Sequence, residues 1–421
     1  MQSMNARLVP ALIKKHPLAT SDLASAESTT RSNGLLLGLS VILIAFNLRP
    51  VFSSLSVVLP EVVAATGMSP AAASALTTLP VICLGLFAIV APWLGRRMGL
   101  EKTLLACMGL ITVGTVLRGT GSVPTLFVAT ALAGIGIAIS NVLMSGLVKR
   151  DFERRAALMM GGYTMAVCGG AAGAAGLTVP LQHAFGLDWT GALALWAVPA
   201  LFATLLWAPQ ALKRRHQARG ESNHAVRGLW SDPLAWQVTL FMGLQSSLAY
   251  SVMSWLAPIL RERGLPQATA GFVVSVSVMT QVVTCLIVPG LALRQRNQVA
   301  LAVGSSVLTV VAMLACMFAP SAGIWTYAVV LGIAQGSTFA LGLTLIVLRS
   351  PNADIASRLS GMAQGVGYLI AACGPLLVGL LRAWTGSFRA SAWLFASIGV
   401  ALVLAAMGAG RAKLVNATRV D

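Results

Sequence analysis

The sequence predicts an all-α polytopic membrane protein of twelve transmembrane helices, arranged as two pseudo-symmetric halves of six. Three observations carry that prediction. Continuous apolar runs of about 20 residues recur along the chain, the length a spanning helix needs. Lys and Arg gather in alternate segments between those runs. Landmark residues also repeat at an offset of 198 positions. Composition agrees: of 421 residues, 57% are hydrophobic and 10% charged, too few charges to cover a soluble protein of this size. A membrane β-barrel would instead show short alternating segments.

Residues 1–33 are polar, carry no cleavable signal pattern, and read as a disordered cytoplasmic tail. Spans follow at 36–58 and 71–94, then the basic cluster Arg96, Arg97 and Lys102. Spans 101–119 and 123–147 lead to a second cluster, Lys149, Arg150, Arg154 and Arg155. Spans 156–178 and 188–208 complete a first bundle over 34–208. The longest internal polar segment, "QALKRRHQARGESNHAVRGLWSD" at 210–232, sets an inter-bundle cytoplasmic loop over 209–232. Spans 234–258, 269–293, 298–319, 322–348, 357–381 and 389–410 build a second bundle over 233–410, and 411–421 form a cytoplasmic tail. With the first residues placed inside, 23 Lys and Arg fall in inside segments and 5 outside, so both termini are expected in the cytoplasm. The net charge of +17 thus reflects topology; it sits in short clusters between apolar runs, not on a face for nucleic acid. The six cysteines lie in apolar runs without metal-ligand spacing and read as small packing residues.

The repeat is defined by three landmarks. Pro60 matches Pro258 and Gly134 matches Gly332 at 198, and Pro92 matches Pro289 at 197. Their agreement argues for an internal duplication, and such parallel repeats place a solute site near the midplane between the halves.

One basic residue has no loop. Arg49 lies within "FNLRPVFSS", inside the first apolar run. An Arg at a helix centre costs about 2.5–3.5 kcal/mol on insertion scales. Facing lipid from there, it could not snorkel to an interface, so a cavity or a neighbouring helix's carbonyls must take it. Its permanent charge and planar fork suit a carboxylate-like anion. Pro50 removes a backbone donor and is expected to bend the helix near Asn47. Arg49, Ser53 and Ser56 share a helical face, and the offset maps them onto Ser247, Ser251 and Ser254, beside Tyr250. Asn47 maps onto Gln245. The serines fit helix packing as well as a polar lining. Further polar side chains inside spans are Asn141, Tyr163, Gln281, Gln335, Gln364 and Tyr368. Each alone fits an interhelical hydrogen bond; together they suit a hydrogen-bonding cavity with one fixed positive charge.

Absences narrow the reading. All twelve carboxylates fall in tails, loops or span ends, so none is placed to relay a proton at the midplane. Glu61, just outside the first span, comes nearest. There is no G-x-x-x-x-G-K-[ST] loop and no nucleophile–base constellation, so neither ATP-driven pumping nor enzymatic chemistry is expected, and no cofactor or metal.

Four segments, "FNLRPVFSSLSVVLPEV", "SNVLMSGLVKRDF", "GLQSSLAYSVMSWLAPIL" and "LSGMAQGVGYLIAACGPLLVG", together resemble the cyanate permease and nitroimidazole exporter branch of the major facilitator superfamily. The similarity runs over residues 36–410. It implies the twelve-helix facilitator fold, alternating access, a small solute, and a first-span Arg facing the cavity. Two departures stand out. The superfamily's Gly-x-x-x-Asp-Arg-x-Gly loop reads "PWLGRRMG" here, with Pro92 and Arg96 in the Gly and Asp places. Ser145 stands where the branch is expected to carry proline.

The resulting expectation is a monomeric inner-membrane transporter of a small anion, cyanate-like or a small carboxylate. Arg49 would pair with the anion. Asn47, Ser53, Asn141, Tyr163, Gln245, Tyr250, Gln281, Gln335, Gln364 and Tyr368 would line the site. Inside gating contacts are expected from "VKRDFERR" through Asp151 and Glu153. Efflux of a neutral heteroaromatic such as a nitroimidazole is the rival; a membrane sensor that transports nothing is a second.

Overall fold

The computed structural model describes residues 36–152, 156–212 and 225–420, so the expected tail 1–33 and part of the inter-bundle loop lie outside the described residues. Helix α1 comprises 36–47 and, after a two-residue break, Pro50–Thr66. Then come α2 (Pro70–Ala88, continued by Ala91–Met98), α3 (Leu100–Leu117), α4 (Val123–Asp151), α5 (Ala156–Ala184) and α6 (Trp189–Ala194 with Ala197–Leu212). The second half holds α7 (Pro233–Glu262), α8 (Gln267–Arg294), α9 (Val299–Phe318), α10 (Ile324–Leu348), α11 (Ala353–Thr385) and α12 (Ser391–Ala409).

Starts are written in the sequence. Ser69, Ser122, Asp232 and Asn352 cap α2, α4, α7 and α11, their side-chain oxygens accepting backbone N–H groups of the first turn. Proline sits in the first turn of α2, α4 and α7, where no donor is lost. Helices α4, α5, α7 and α11 run past the expected ends 147, 178, 258 and 381, to 151, 184, 262 and 385. Apolarity stops at the bilayer surface; backbone hydrogen bonding does not.

Among the described residues, eleven helices are long and apolar enough to cross a membrane. Helix α7 has the length, 30 residues, but carries Gln245, Ser246, Ser247, Tyr250, Ser251 and Ser254. All six are buried, so this polarity is hidden from lipid by neighbouring helices.

The halves meet with the symmetry the repeat predicts. Helix α2 packs along α11, and its counterpart contact sets α5 along α8. Helices α1 and α7 meet near the pseudo-axis, where Ser56 Oγ donates to the Ser254 carbonyl at 2.9 Å, a pair 198 residues apart. Gly134 of α4 abuts Pro80 and Cys83 of α2; Gly332 of α10 abuts Ser277 and Thr280 of α8. A Cβ at Gly332 would lie 2.2 Å from the Ser277 carbonyl oxygen, so the close approach requires glycine. Outside the bundles, strand β1 (Ala225–Arg227) pairs antiparallel with β2 (Thr418–Val420), tying the inter-bundle segment to the C-terminal tail.

Candidate substrate site

The site begins with the break in α1. Pro50 has no N–H to offer the Phe46 carbonyl, so the ladder lapses; Leu48 N–H turns back to Ala45 O at 3.2 Å. The helix restarts with Pro50 at its first position, and Arg49 O accepts from Phe52 and Ser53. The Phe46 carbonyl is accommodated by Gly170 of α5: a Cβ there would lie 1.9 Å from its oxygen. Asn47 pins the break from the other side, donating Nδ2 to Leu43 O at 2.8 Å and to Pro199 O of α6 at 3.1 Å.

The break delivers Arg49, partly exposed, into an aromatic corner. Its Nη1 donates to Tyr250 Oη at 2.6 Å. The guanidinium carbon stands 5.2 Å from the Tyr250 ring centre and 5.6 Å from that of Phe52. Phe52 and Tyr250 pack at 5.5 Å, and Tyr368 of α11 meets Tyr250 edge-on at 6.2 Å. Tyr163 of α5 donates its hydroxyl to Asn141 Oδ1 of α4 at 2.8 Å. Two of the chain's four tyrosines, Tyr250 and Tyr368, thus gather at this arginine. Among the described residues, no carboxylate lies within 4.0 Å of Arg49.

The other expected lining residues lie elsewhere. Gln245, 2% exposed, turns back on its own helix, donating to Met242 O and Ser246 Oγ; its Oε1 has no partner among the described residues. Ser53 Oγ is likewise buried without a partner among them. Gln281 of α8 donates to Gln335 Oε1 of α10 at 3.3 Å, and Gln335 Nε2 is buried and free among the described residues, so these two form a separate polar pair in the second half. Gln364, one turn before Tyr368, donates to Ser360 Oγ at 2.8 Å. The geometry therefore brings together Arg49, Tyr250 and Tyr368, pairs Tyr163 with Asn141, and gives Asn47, Ser53, Gln245, Gln281, Gln335 and Gln364 no side-chain hydrogen bond to Arg49 among the described residues.

One contributor is not among the sequence candidates: Phe52, an apolar residue in an apolar run. Arg118 is a second arginine buried within the bundle, apart from that group. It is 0% exposed at the outer end of α3, with one donor 3.4 Å from Ser54 Oγ of α1. Its Nε and Nη2 have no partner among the described residues.

At the end of the bundle where α1 and α7 terminate, the halves are bonded to each other. Glu61 of α1 pairs with Arg261 of α7 at 2.7 Å, and Ser74 of α2 donates to Leu376 O of α11 at 2.8 Å. On the opposite face, Arg150 binds Glu101 at 2.6 Å and Asp151 at 2.8 Å. These hydrogen-bonded carboxylates, Asp151 first, hold the Arg150 guanidinium above its ordinary range. All three residues belong to the first half, so this network braces α3 against α4. Glu153, Arg154 and Arg155, also expected in an inside gate, lie outside the described residues.

The sequence profile of the Major Facilitator Superfamily matches residues 37–370. An uncharacterized transporter, YycB of Bacillus subtilis, is 39% identical over 89% of this chain and 93% of its own. The 2-nitroimidazole transporter of Escherichia coli is 34% identical over 92% and 99% of the two chains, and the cyanate transport protein CynX of the same organism is 30% identical over 85% and 92%. The crystal structure of the nucleoside transporter NupG superposes with a TM-score of 0.70 at 14% identity, covering 89% of this chain and 99% of that one, a likeness of fold alone. With helices paired across a repeat and a family match over most of its length, this chain belongs to the major facilitator superfamily, on the branch that holds the cyanate and 2-nitroimidazole transporters.

Proposed function

We propose that this multi-pass membrane transporter carries a small anion, of the size of cyanate or a small carboxylate, by alternating access between its two halves. The observation that carries the reading is Arg49: a cation between the halves, with a phenol and two ring faces around it and, among the described residues, no carboxylate in contact. In a low-dielectric setting an uncompensated guanidinium is costly, and an anionic substrate supplies the missing charge. Tyr250 steers one donor of Arg49, leaving others for a bidentate anion. Tyr163 and Tyr368 supply further hydroxyls. With no carboxylate in contact with Arg49 among the described residues, exchange, uniport or co-movement of a protonated solute is favoured over a proton relay through an acid.

The aromatic walls favour one rival reading, a flat neutral heteroaromatic stacked between Phe52, Tyr250 and Tyr368. A nitroimidazole and a cyanate relative are both on this branch, and the family match does not choose between them. Reconstituted vesicles separate the two: uptake of labelled cyanate or small carboxylates, competed by unlabelled anions and not by 2-nitroimidazole, supports the anion. The reverse pattern overturns it. We further propose a monomer in the bacterial inner membrane, with both termini in the cytoplasm as the Lys and Arg distribution favours.

A further inference from the structure

A cleft of about 280 Å³ opens where the start of α7, the end of α12 and the C-terminal tail meet. Its walls are Pro233, Leu234, Gly408 and Leu414, and its polar groups include Arg411, Lys413 and Gln237. The two helices come close here because residue 408 is glycine: a Cβ would lie 2.4 Å from Gln237 Oε1. Arg411 and Lys413 are exposed, and no acid pairs with either among the described residues. The one carboxylate in the cleft, Asp232, makes no ion pair with either cation among the described residues; its two oxygens accept Ala235 N–H at 2.9 Å and Asn416 N–H at 2.7 Å. That second bond, with Val415 N–H on Arg349 O and a buried Val415, fixes the tail that carries the two cations.

Next to the cleft the same two helices show apolar side chains to the surroundings: Trp236 and Leu240 on α7, Leu404 and Met407 on α12. Trp230 and Trp236 stack edge-on at 6.1 Å, the arrangement of an interfacial aromatic anchor. Two free cations at a membrane boundary, above an apolar seam and beside tryptophan, match an anionic head group with acyl chains running down the seam.

We propose that this cleft binds the phosphate head group of an anionic phospholipid. The inference does not depend on the substrate assignment. It is tested on the purified, delipidated full chain in neutral detergent by native mass spectrometry, titrating phosphatidylglycerol, phosphatidylcholine and inorganic phosphate. The expected result is a phosphatidylglycerol adduct whose apparent affinity falls about 25-fold in Arg411→Gln/Lys413→Gln, roughly five-fold per surface cation. The control Arg294→Gln/Arg296→Gln, on another exposed basic stretch, should stay within two-fold. Equal binding by the Arg411/Lys413 variant, equal binding of phosphatidylcholine, or full competition by inorganic phosphate at the lipid's concentration would each overturn the lipid assignment.

Discussion

Arg49→Gln keeps a hydrogen-bonding side chain at the break in α1 and removes the charge. The size of the effect can be worked from the site. Two unit charges 4 Å apart attract by about 4 kcal/mol at an effective dielectric near 20. Desolvating the anion and ordering the side chain offset part of this. The net for a hydrogen bond to a charged group is about 1.5–3 kcal/mol. At 1.4 kcal/mol per factor of ten, KM for the anion should rise about 10- to 150-fold. Arg49→Lys keeps the charge but loses the planar fork and its stacking on Phe52 and Tyr250, so a smaller rise is expected. Tyr250→Phe keeps the ring and removes the acceptor at 2.6 Å, so a rise of about three- to tenfold is expected. The assay is the initial rate of labelled cyanate uptake into proteoliposomes, with variant quantity normalised by immunoblot. A KM within two-fold of the parent in Arg49→Gln would refute the pairing of Arg49 with substrate charge.

Three further outcomes are expected. Gly170→Ala sets a Cβ at 1.9 Å from the Phe46 oxygen, so α5 must retreat from α1; overpacking of this kind costs about 1–3 kcal/mol, and the melting temperature in detergent should drop by several degrees. Arg118→Met removes a fully buried guanidinium whose only hydrogen bond among the described residues is a long one, so the melting temperature should hold or rise; a drop of several degrees would reveal a partner the described residues do not contain. Glu61→Gln breaks the ion pair with Arg261, which is only partly buried and contributes no more than about 1 kcal/mol; labelling of a cysteine introduced at Ser251 by a reagent added on the side of that pair should accelerate by up to about five-fold, and an unchanged rate would show that the pair does not restrict access from that side.

Much of the fold was legible because bilayer thickness and the cost of charge act on the sequence directly. The apolar runs give the helices. The same cost singled out Arg49, and the missing donor of Pro50 placed the break. What was not legible depends on rotation about helix axes. Arg49 caps the restarted helix that holds 53 and 56, and Arg49 and Ser56 both reach α7, at Tyr250 and at the Ser254 carbonyl, as a shared face requires; Ser53 is buried without a partner among the described residues. The phase changes instead between Asn47 and Pro50, across the break. Asn47 looked like a ligand because an amide in a membrane run needs a partner, but carbonyls freed near a bend satisfy it as well. Arg118 sits at the edge of an apolar run, where sequence cannot tell a snorkelling side chain from one folded into the bundle.

The repeat explains why the charge is confined to one half. Phe52 and Tyr250 are 198 apart, as are Ser56 and Ser254, and both pairs touch, so the two central helices cross at equivalent residues. Around that crossing the halves diverge. Position 50 is proline, while its counterpart Leu248 keeps its N–H and α7 runs unbroken from Pro233 to Glu262. Gly170 leaves room for the carbonyl that the broken helix pushes toward α5; its counterpart on α11 is Tyr368, which fills the same relative place with a phenol aimed at Tyr250. Arg49 has Ser247 as counterpart, and a Cβ at Gly374 of α11 would lie 2.2 Å from its Oγ, so no long cation fits there. The first half thus supplies a break, a glycine to accommodate it and a cation. The second half supplies an intact helix and two phenols facing that cation. A symmetric scaffold carries an asymmetric site, and restoring symmetry should abolish it. Pro50→Leu would rebuild the α1 ladder through Phe46, rotate Arg49 away from Tyr250, and raise KM for the anion at least as far as Tyr250→Phe does. Parent-like uptake in Pro50→Leu would show that the break has no part in aiming the charge.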